Sequence, residues 1–256
     1  MTPETVSIPR KKLWLAAVKP PMYSVAIMPI CVGTAIAWSQ IRAVDWGIFL
    51  TFIFSAIPIL AWENLTNDVF DSDTGIDIRK PHSVVNLTRN RSLVLAIGNL
   101  CLAGGIAGVV AIALRQQDPT VLILITICCF LGYLYQGPPF RLGYHGLGEL
   151  LCFFAFGPIG VSAAYYSQMP AWSPATLAAS VIIGITTTLV LFCSHFHQVE
   201  DDLAAGKRSP IVRLGTKRGA QLLPWACGSV FAIAVGFLAL NRFPIGTLLI
   251  FARQYR

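Results

Sequence analysis

The feature that most constrains this chain is a series of long apolar runs separated by charged segments. Hydrophobic residues make up 55% of its 256 residues and charged residues only 12%, whereas about 25% is typical of a soluble domain. A soluble core of this size cannot enclose so much apolar surface. A membrane-spanning helix needs about 20 mostly apolar residues, and the runs that approach this length are 14–38, 46–63, 93–114, 119–136, 148–167, 174–193 and 221–240. The sequence therefore predicts an all-α, polytopic transmembrane bundle.

The two ends of the chain differ from these runs. Residues 1–12 form a polar and basic tail, and residues 1–256 are expected to form one membrane-embedded domain. An eighth run begins near Pro244 and stops at Ala252. As a helix it would rise only about 13 Å, well short of the roughly 30 Å hydrocarbon core. We expect this piece to be interfacial or to be an incomplete last span.

The distribution of charge predicts topology and argues against a nucleic-acid partner. The net charge is +7, but the basic residues do not gather on one helix or face as a groove binder requires. Fourteen Lys and Arg residues fall in the N-terminal segment and after the second, fourth and sixth runs, against Arg42, Arg115 and Arg242 on the other side. The richer side is predicted to be cytoplasmic. Most acidic residues lie in two loops on that same side, 64–92 and 194–220, which suggests two parallel four-helix repeats with a shared mouth.

The first acidic loop has the spacing of a helical metal and phosphate site. If the second helix continues through it, Asn64, Asp68 and Asp71 fall at i, i+4 and i+7 and share one face. Asp73 and Asp77 follow, and so many neighbouring carboxylates repel one another unless a cation neutralises them. Oxygen-rich sites of this kind suit Mg²⁺ bridged to substrate phosphates. The alternatives are a solvated acidic loop or a Ca²⁺ loop, and the EF-hand spacing is not met.

Two further segments are expected at the same mouth. In the second acidic loop, Glu200, Asp201 and Asp202 would hold a second Mg²⁺, and Lys207 with Arg208 would grip a diphosphate or a substrate carboxylate. His195 and His197 are expected to form hydrogen bonds, with transition-metal ligation as the weaker alternative.

Between the acidic loops, Pro138 and Pro139 break a helix. This break would bring Arg141 and Tyr144 to the mouth, or else the segment is a simple connecting loop.

Three stretches resemble one family. They are Asn64-Leu-Thr-Asn67-Asp68-Val-Phe-Asp71, Tyr144-His-Gly-Leu-Gly-Glu149 and Gly206-Lys207-Arg208-Ser-Pro-Ile-Val-Arg213-Leu-Gly215. Together they resemble the UbiA superfamily of intramembrane prenyltransferases, and within it the 1,4-dihydroxy-2-naphthoate prenyltransferases of quinone synthesis. The amino-acid sequence from His195 to Asp202 resembles that of the cyanobacterial and plastid branch of this family. One departure is clear, since Ser194, Gln198 and Asp202 stand where the family usually has Asn and two Asp residues.

The resemblance implies a reaction and a set of residues. Mg²⁺ would neutralise the diphosphate, and a prenyl cation, phytyl in this branch, would be transferred to the naphthoate or its oxidised naphthoquinone with loss of CO₂, as in phylloquinone synthesis. The expected metal ligands are Asp68, Asp71, Asp73, Asp201 and Asp202. The expected diphosphate-binding residues are Asn64, Asn67, Arg79, Lys80, Tyr144 and Arg208. Catalysis is assigned to Asp68, Asp71, Asp202 and Lys207, with Arg141 or Lys207 holding the acceptor carboxylate.

The prenyl tail is expected to lie along lipid-facing helices lined by residues such as Phe49, Phe52, Phe130, Phe153 and Phe154. Alternatives remain open at this point. One is another aromatic prenyltransferase of the menaquinone or tocopherol type with a polyprenyl donor. A transporter is a second, although the acids crowd one face rather than the bilayer midplane. A scaffold that binds prenyl diphosphate without catalysis is a third. A cyanobacterial plasma or thylakoid membrane is the expected location.

Overall fold

The computed structural model describes residues 9–77, 80–241, 243 and 245–246, and every regular element in that part of the chain is helical. The α-helices are α1 Arg10–Val18, α2 Tyr23–Ile41, α3 Trp46–Thr74, α4 Val84–Thr88, α5 Arg91–Gln116, α6 Thr120–Gln136, α7 Gly148–Phe154, α8 Gly160–Gln168, α9 Pro174–Ser194, α10 Val199–Ala204, α11 Pro210–Leu214 and α12 Thr216–Ala239. A π-helical turn, Ala155–Ile159, joins α7 to α8.

The predicted multi-pass membrane architecture is confirmed. Six helical stretches within the described residues are long and apolar enough to cross a bilayer. The run predicted at 119–136 forms α6, whose 17 residues span about 25 Å. The eighth run and Arg242 fall outside the described residues apart from Ile245 and Gly246, so the four-helix repeat stays a prediction.

The first run differs from its prediction because it is not one uninterrupted helix. Lys19 adopts a left-handed conformation with φ of 49°, and Pro20 and Pro21 follow in a 3₁₀ turn. Each proline lacks the N–H that would continue the preceding helix. The short α1 therefore ends at Val18, and the ammonium group of Lys19 is brought towards the neighbouring segments at the acidic end of the bundle.

Small residues set the close helix contacts on which the bundle depends. A methyl group added to Gly33 of α2 would stand 2.6 Å from backbone atoms of Val161 and Tyr165 in α8. One added to Gly105 of α5 would stand 2.7 Å from the carbonyl oxygen of Ser55 in α3. Because lipid tails are as apolar as leucine, helices in a membrane associate through such close packing rather than through the hydrophobic effect.

The two ends of the bundle are built differently. An apolar core fills one end and takes residues from α2, α3, α5, α6 and α8, namely Ile30, Ile48, Phe52, Val109, Ile112, Val121, Ile125, Ala163 and Ala164. At the other end, α3 continues to Thr74. Its 29 residues span about 43 Å, more than the roughly 30 Å apolar layer. The last turns of α3 thus carry the first acidic motif to the membrane boundary.

Candidate functional site

A cavity of about 420 Å³ lies between the apolar core and the acidic end of the bundle, a size typical of small-molecule sites. Its floor is mostly apolar and takes side chains from α2, α3, α6 and α9 together with Ala155 and Phe156 of the π-helical turn. The polar side chains at its mouth include Lys19, Asn64, Asn67, Asp68, Asp71, Lys80, His82, Ser83, His195, Gln198 and Lys207. The cavity therefore joins a charged mouth to an apolar floor.

The first acidic motif enters this mouth from α3, because the helix continues past residue 63 as predicted. Asp68 and Asp71 are each 5% exposed. One carboxylate oxygen of Asp68 accepts a hydrogen bond from the Val84 backbone N–H at 2.7 Å, and the other lies 3.7 Å from Lys19 Nζ. Asp71 accepts a hydrogen bond of 2.8 Å from the Tyr144 hydroxyl. Both carboxylates line the cavity, as do Asn64 and Asn67.

The later acids of this motif have other partners. Asp73 receives two hydrogen bonds of 2.7 Å from Arg91 at the start of α5, and it is not part of the cavity lining. Asp77 is buried and lies 2.6 Å from Lys80 Nζ, which does line the cavity. Burial alone would lower the pKa of Lys80, but the contact with Asp77 outweighs it and raises that pKa. The lysine is therefore a firm positive charge at the mouth.

The second acidic motif is arranged around a fully buried carboxylate. Asp202 is 0% exposed. Its two oxygens lie 3.4 Å from Lys207 Nζ and 3.3 Å from His195 Nδ1. His195 in turn places its Nε2 atom 3.3 Å from the Glu149 carboxylate. Lys207 and His195 line the cavity, whereas Asp202 stands behind them. The segment thus presents a cation and an imidazole to the cavity.

These contacts also determine the ionisation of Asp202. Burial alone would raise its pKa, but the contact with His195 and the positive charge of Lys207 outweigh burial and hold the pKa below its ordinary value. Asp202 is consequently an anion throughout the neutral range.

Tyr144 joins the three segments that the sequence placed at one mouth. Its hydroxyl donates to Asp71 and lies 2.7 Å from the Thr74 hydroxyl. Its backbone carbonyl accepts a hydrogen bond of 2.8 Å from the Arg208 N–H. Lys207 Nζ lies 5.7 Å from the centre of the Tyr144 ring, within the range of a cation–π contact. The pKa of Tyr144 is raised by burial and by the charge of Asp71, so the hydroxyl keeps its proton.

The remaining predicted residues are placed as follows. Arg141, Asp201 and the side chain of Arg208 do not contribute to the cavity lining, and Arg79 lies outside the described residues. Among the five phenylalanines expected along the tail, only Phe52 lines the cavity. Phe130 and Phe154 are 55% and 43% exposed and face the surroundings of the bundle, so their place along the tail stays a prediction. A lipid-facing position and a tail-binding position are both apolar, so composition does not separate them.

Sequence reasoning missed several residues at the mouth. Lys19 contributed only to the topology count, yet it lies beside Asp68 because of the break between α1 and α2. The link from Glu149 through His195 to Asp202 joins residues that are far apart in the chain. The expectation that His195 makes polar contacts agrees with its position. The proline pair after Lys19 could have predicted that the chain turns there. No sequence pattern predicted the contact between Glu149 and His195.

The donor set fits a magnesium ion that binds together with a diphosphate. Among the described residues no group of three or more His, Cys, Asp or Glu side chains forms a cage for a metal ion. Mg²⁺ commonly takes only one or two protein carboxylates, with phosphates and water completing its shell. Asp68 and Asp71 supply hard oxygen ligands of that kind at the cavity, and the nearby ammonium groups of Lys19, Lys80 and Lys207 complement phosphate charge.

Known proteins with similar sequences belong to the family that the sequence motifs resemble. Residues 26–253 match the model of the UbiA prenyltransferase family. The chain is 57% identical to the 2-carboxy-1,4-naphthoquinone phytyltransferase of Synechocystis over 98% of its own length and 82% of that protein. It is 45% identical to the chloroplastic enzyme of that name from Arabidopsis thaliana over 88% of this chain and 61% of that protein, so it spans about three fifths of the plant relative.

A solved structure shares the fold. A UbiA homolog from Archaeoglobus fulgidus, bound to DMAPP and Mg²⁺, superposes with a TM-score of 0.71 at 16% identity, covering 93% of this chain and 81% of that one. A second structure of an Archaeoglobus fulgidus UbiA homolog, bound to GPP and Mg²⁺, gives the same values. With its helical bundle, its acidic mouth and its match over most of its length, this chain belongs to the UbiA prenyltransferase family.

Proposed function

We propose that this protein transfers a phytyl group from its Mg²⁺-bound diphosphate to 1,4-dihydroxy-2-naphthoate or its oxidised 2-carboxy-1,4-naphthoquinone form, with loss of the ring carboxylate. The observation that carries this proposal is the meeting of Asp68 and Asp71 with Lys207 at the mouth of one apolar cavity. The names of the Synechocystis and Arabidopsis relatives support the donor and the acceptor. Their product chemistry belongs to phylloquinone synthesis, as the sequence resemblance implies.

The charged mouth holds the diphosphate. Asp68 and Asp71 would hold Mg²⁺, which when bound withdraws charge from the leaving diphosphate. Lys19, Lys80 and Lys207 would contact the phosphate oxygens. Their attraction to the diphosphate becomes stronger as the C–O bond breaks, because negative charge then builds up on the leaving group. Tyr144 and the Val84 N–H keep the two carboxylates oriented by hydrogen bonds to their oxygens. The acidic end of the bundle would then face the cytoplasm, in line with the distribution of Lys and Arg.

The apolar floor protects the reacting carbon. An allylic cation formed beneath the diphosphate is consumed by water wherever water reaches it, so a dry site is needed. Phe52, Leu60 and Ile125 line the cavity away from its charged mouth, and each is less than 10% exposed. With the dihydroxy form as acceptor, the electron pair of the new C–C bond comes from the ring carbon that carries the carboxylate. Cleavage of the bond from that carbon to the carboxylate then returns an electron pair to the ring and releases CO₂, which restores aromaticity. Of the two side chains expected to hold the ring carboxylate, Lys207 lines the cavity and Arg141 does not.

The test is product analysis with membranes that contain the protein. Phytyl diphosphate and two polyprenyl diphosphates are each supplied with 1,4-dihydroxy-2-naphthoate and Mg²⁺, and products are identified by mass spectrometry. We expect a decarboxylated phytyl naphthoquinol that disappears when EDTA removes the metal. Product from the polyprenyl donors alone would reassign the donor, and the absence of product from every donor would refute the proposed function.

A further inference from the structure

One acidic side chain lies in the apolar part of the cavity and has no role in the scheme above. Glu63 of α3 lines the cavity together with Cys128, Cys129 and Gly132 of α6. A methyl group added to Gly132 would stand 3.5 Å from the carboxyl carbon of Glu63 and from one of its oxygens. The carboxyl group therefore lies at the interface between α3 and α6, where both helices face the cavity.

The Glu63 carboxyl makes no ion pair or hydrogen bond with any residue that the structure describes. Its backbone carbonyl is engaged instead, since it accepts hydrogen bonds from Gln136 Nε2 at 2.9 Å and from Thr66 Oγ1 at 3.3 Å. By contrast, Asp68, Asp71 and Asp202 each have a polar partner at the mouth. Enclosing a carboxyl group in apolar surroundings costs free energy unless a partner is supplied.

We infer that Glu63 binds an oxygen substituent of the aromatic acceptor and thereby fixes the orientation of the ring. The inference rests on the proposed function and names the residue that positions its second substrate. A prenyl tail offers only C–H groups, so it would leave the carboxyl group without a partner. An aromatic ring with hydroxyl or carbonyl substituents supplies one in either of its redox forms. A carboxylate accepts from a hydroxyl, and a protonated carboxyl donates to a carbonyl.

The position of Glu63 along α3 agrees with this assignment. It precedes Asp68 by five residues and Asp71 by eight, which corresponds to about 7.5 Å and about 12 Å along the helix axis. A ring bound through Glu63 thus lies one to two turns deeper than the diphosphate. The reacting atoms of donor and acceptor must approach to about 3–3.5 Å, and a ring that extends from Glu63 towards the mouth meets the first carbon of the prenyl chain there.

Tyr135 supplies a flat surface beside this position. It lines the cavity from α6, and its ring is contacted from the other side by the segment 137–148 that joins α6 to α7. A methyl group added to Gly148 would stand 2.5 Å from the Tyr135 ring, and one added to Gly143 would stand 2.9 Å from it. These glycines let the loop pack directly against the ring. An aromatic acceptor next to Tyr135 gains a ring–ring contact in addition to its hydrogen bond with Glu63.

The experiment separates the binding of the two substrates. Glu63→Leu removes the carboxyl group at similar size, and Glu63→Gln keeps a donor and an acceptor. We expect Glu63→Leu to raise the KM for the acceptor about tenfold and to change the KM for phytyl diphosphate less than about twofold. Glu63→Gln is expected to stay within about threefold of wild type for both substrates. The control is Gln221→Leu, because Gln221 is exposed on α12 and does not line the cavity, and neither KM should change.

A second variant approaches the same contact from α6 and keeps Glu63. Gly132→Ala places a methyl group against the carboxyl group, and we expect about a threefold rise in the acceptor KM alone. An unchanged acceptor KM in both Glu63→Leu and Gly132→Ala, with active wild-type protein, would overturn the role of Glu63 and leave the proposed function standing. Equal rises in both KM values would also overturn it. Wild-type protein without any prenylated product would instead refute the proposed function.

Discussion

The two acidic motifs of this protein look alike in sequence but are built differently. In the first, Asp68 and Asp71 project from a long continuous helix into the cavity and retain contact with its interior. In the second, Asp202 lies on a six-residue helix, is 0% exposed and is enclosed by His195 and Lys207. The first motif thus presents anions to the cavity, and the second presents a cation that a buried anion holds in place.

This difference shows that two similar carboxylate-rich segments can present opposite charges to one cavity. If the two acidic motifs had the same role, each would bind its own Mg²⁺. The geometry favours a division of labour, in which the first motif binds the metal and the second contributes Lys207 to the diphosphate. The missing asparagine of the second motif, where Ser194 stands, is understandable on this basis, because a segment that holds a lysine needs fewer metal ligands.

The largest effect is expected at the first motif. Asp68→Asn removes a charged ligand from the mouth without changing the shape of the side chain. We expect a loss of about 100-fold in kcat/KM, the size typical of losing one preorganised electrostatic group. Steady-state prenyl transfer at saturating Mg²⁺ measures it. Retention of more than about a tenth of the activity would contradict a metal role for this carboxylate.

Lys207→Met tests the second motif. The substitution removes the cation from the cavity and leaves Asp202 without one partner. We expect about a 30-fold loss in kcat/KM, with a rise in the KM for the prenyl diphosphate, because charge on the leaving group is less well neutralised. Lys207→Arg is the control and should recover a substantial part of the loss. An arginine variant as inactive as the methionine variant would argue for a role other than charge.

Asp202→Asn distinguishes the two motifs most directly. We expect it to lower stability by about 3 kcal/mol, because it breaks a buried ion pair, yet to leave the Mg²⁺ concentration for half-maximal activity unchanged. Asp71→Asn is the matched variant and should raise that concentration. A similar rise of the half-maximal Mg²⁺ concentration in Asp202→Asn would instead support one Mg²⁺ site at each motif.

The pH dependence of that stability difference gives a second measurement. The pKa of Asp202 lies below its ordinary value of 3.8. Its ionised form therefore stabilises the fold above that pH, and the stabilisation is lost as the pH falls through the folded-state pKa. Thermal unfolding in detergent should show a smaller gap between wild type and Asp202→Asn near pH 3 than at pH 7. A gap of constant size would indicate that the charge is not responsible.

The smallest effect is expected at Asp73. Its side chain is 32% exposed and paired with Arg91 at the edge of the bundle, and exposed ion pairs contribute about 0–1 kcal/mol. Asp73→Asn should keep prenyl transfer within about twofold of wild type. Loss comparable to that of Asp68→Asn would place Asp73 in the metal site after all.

Helical periodicity explains what could be predicted of the fold and the site. Apolar runs gave the spans, and the spacing of Asn64, Asp68 and Asp71 correctly placed these side chains on one face of an extended α3. The same periodicity puts Asp73 five residues after Asp68, on a different side of the helix, where it meets Arg91.

The partners of these groups were not predictable in the same way. Lys19 reaches Asp68 only because a left-handed residue and two prolines turn the chain. The contact of Glu149 with His195 joins segments about 45 residues apart, as helix packing dictates. For the apolar residues, a side chain that faces lipid and one that faces the cavity obey the same composition rule, which is why Phe52 and Phe130 could not be told apart.

The packed apolar end of the bundle has a consequence for the membrane in which the protein works. Val109, Val121 and Ala163 are 0% exposed there, so among the described residues the cavity is closed at this end. We expect ions and protons to find no aqueous route through this packed end, so that prenyl transfer would not dissipate a membrane potential. On the proposed function, pyrophosphate would leave by the side from which the diphosphate entered, and a lipid-soluble quinol would pass into the hydrocarbon layer.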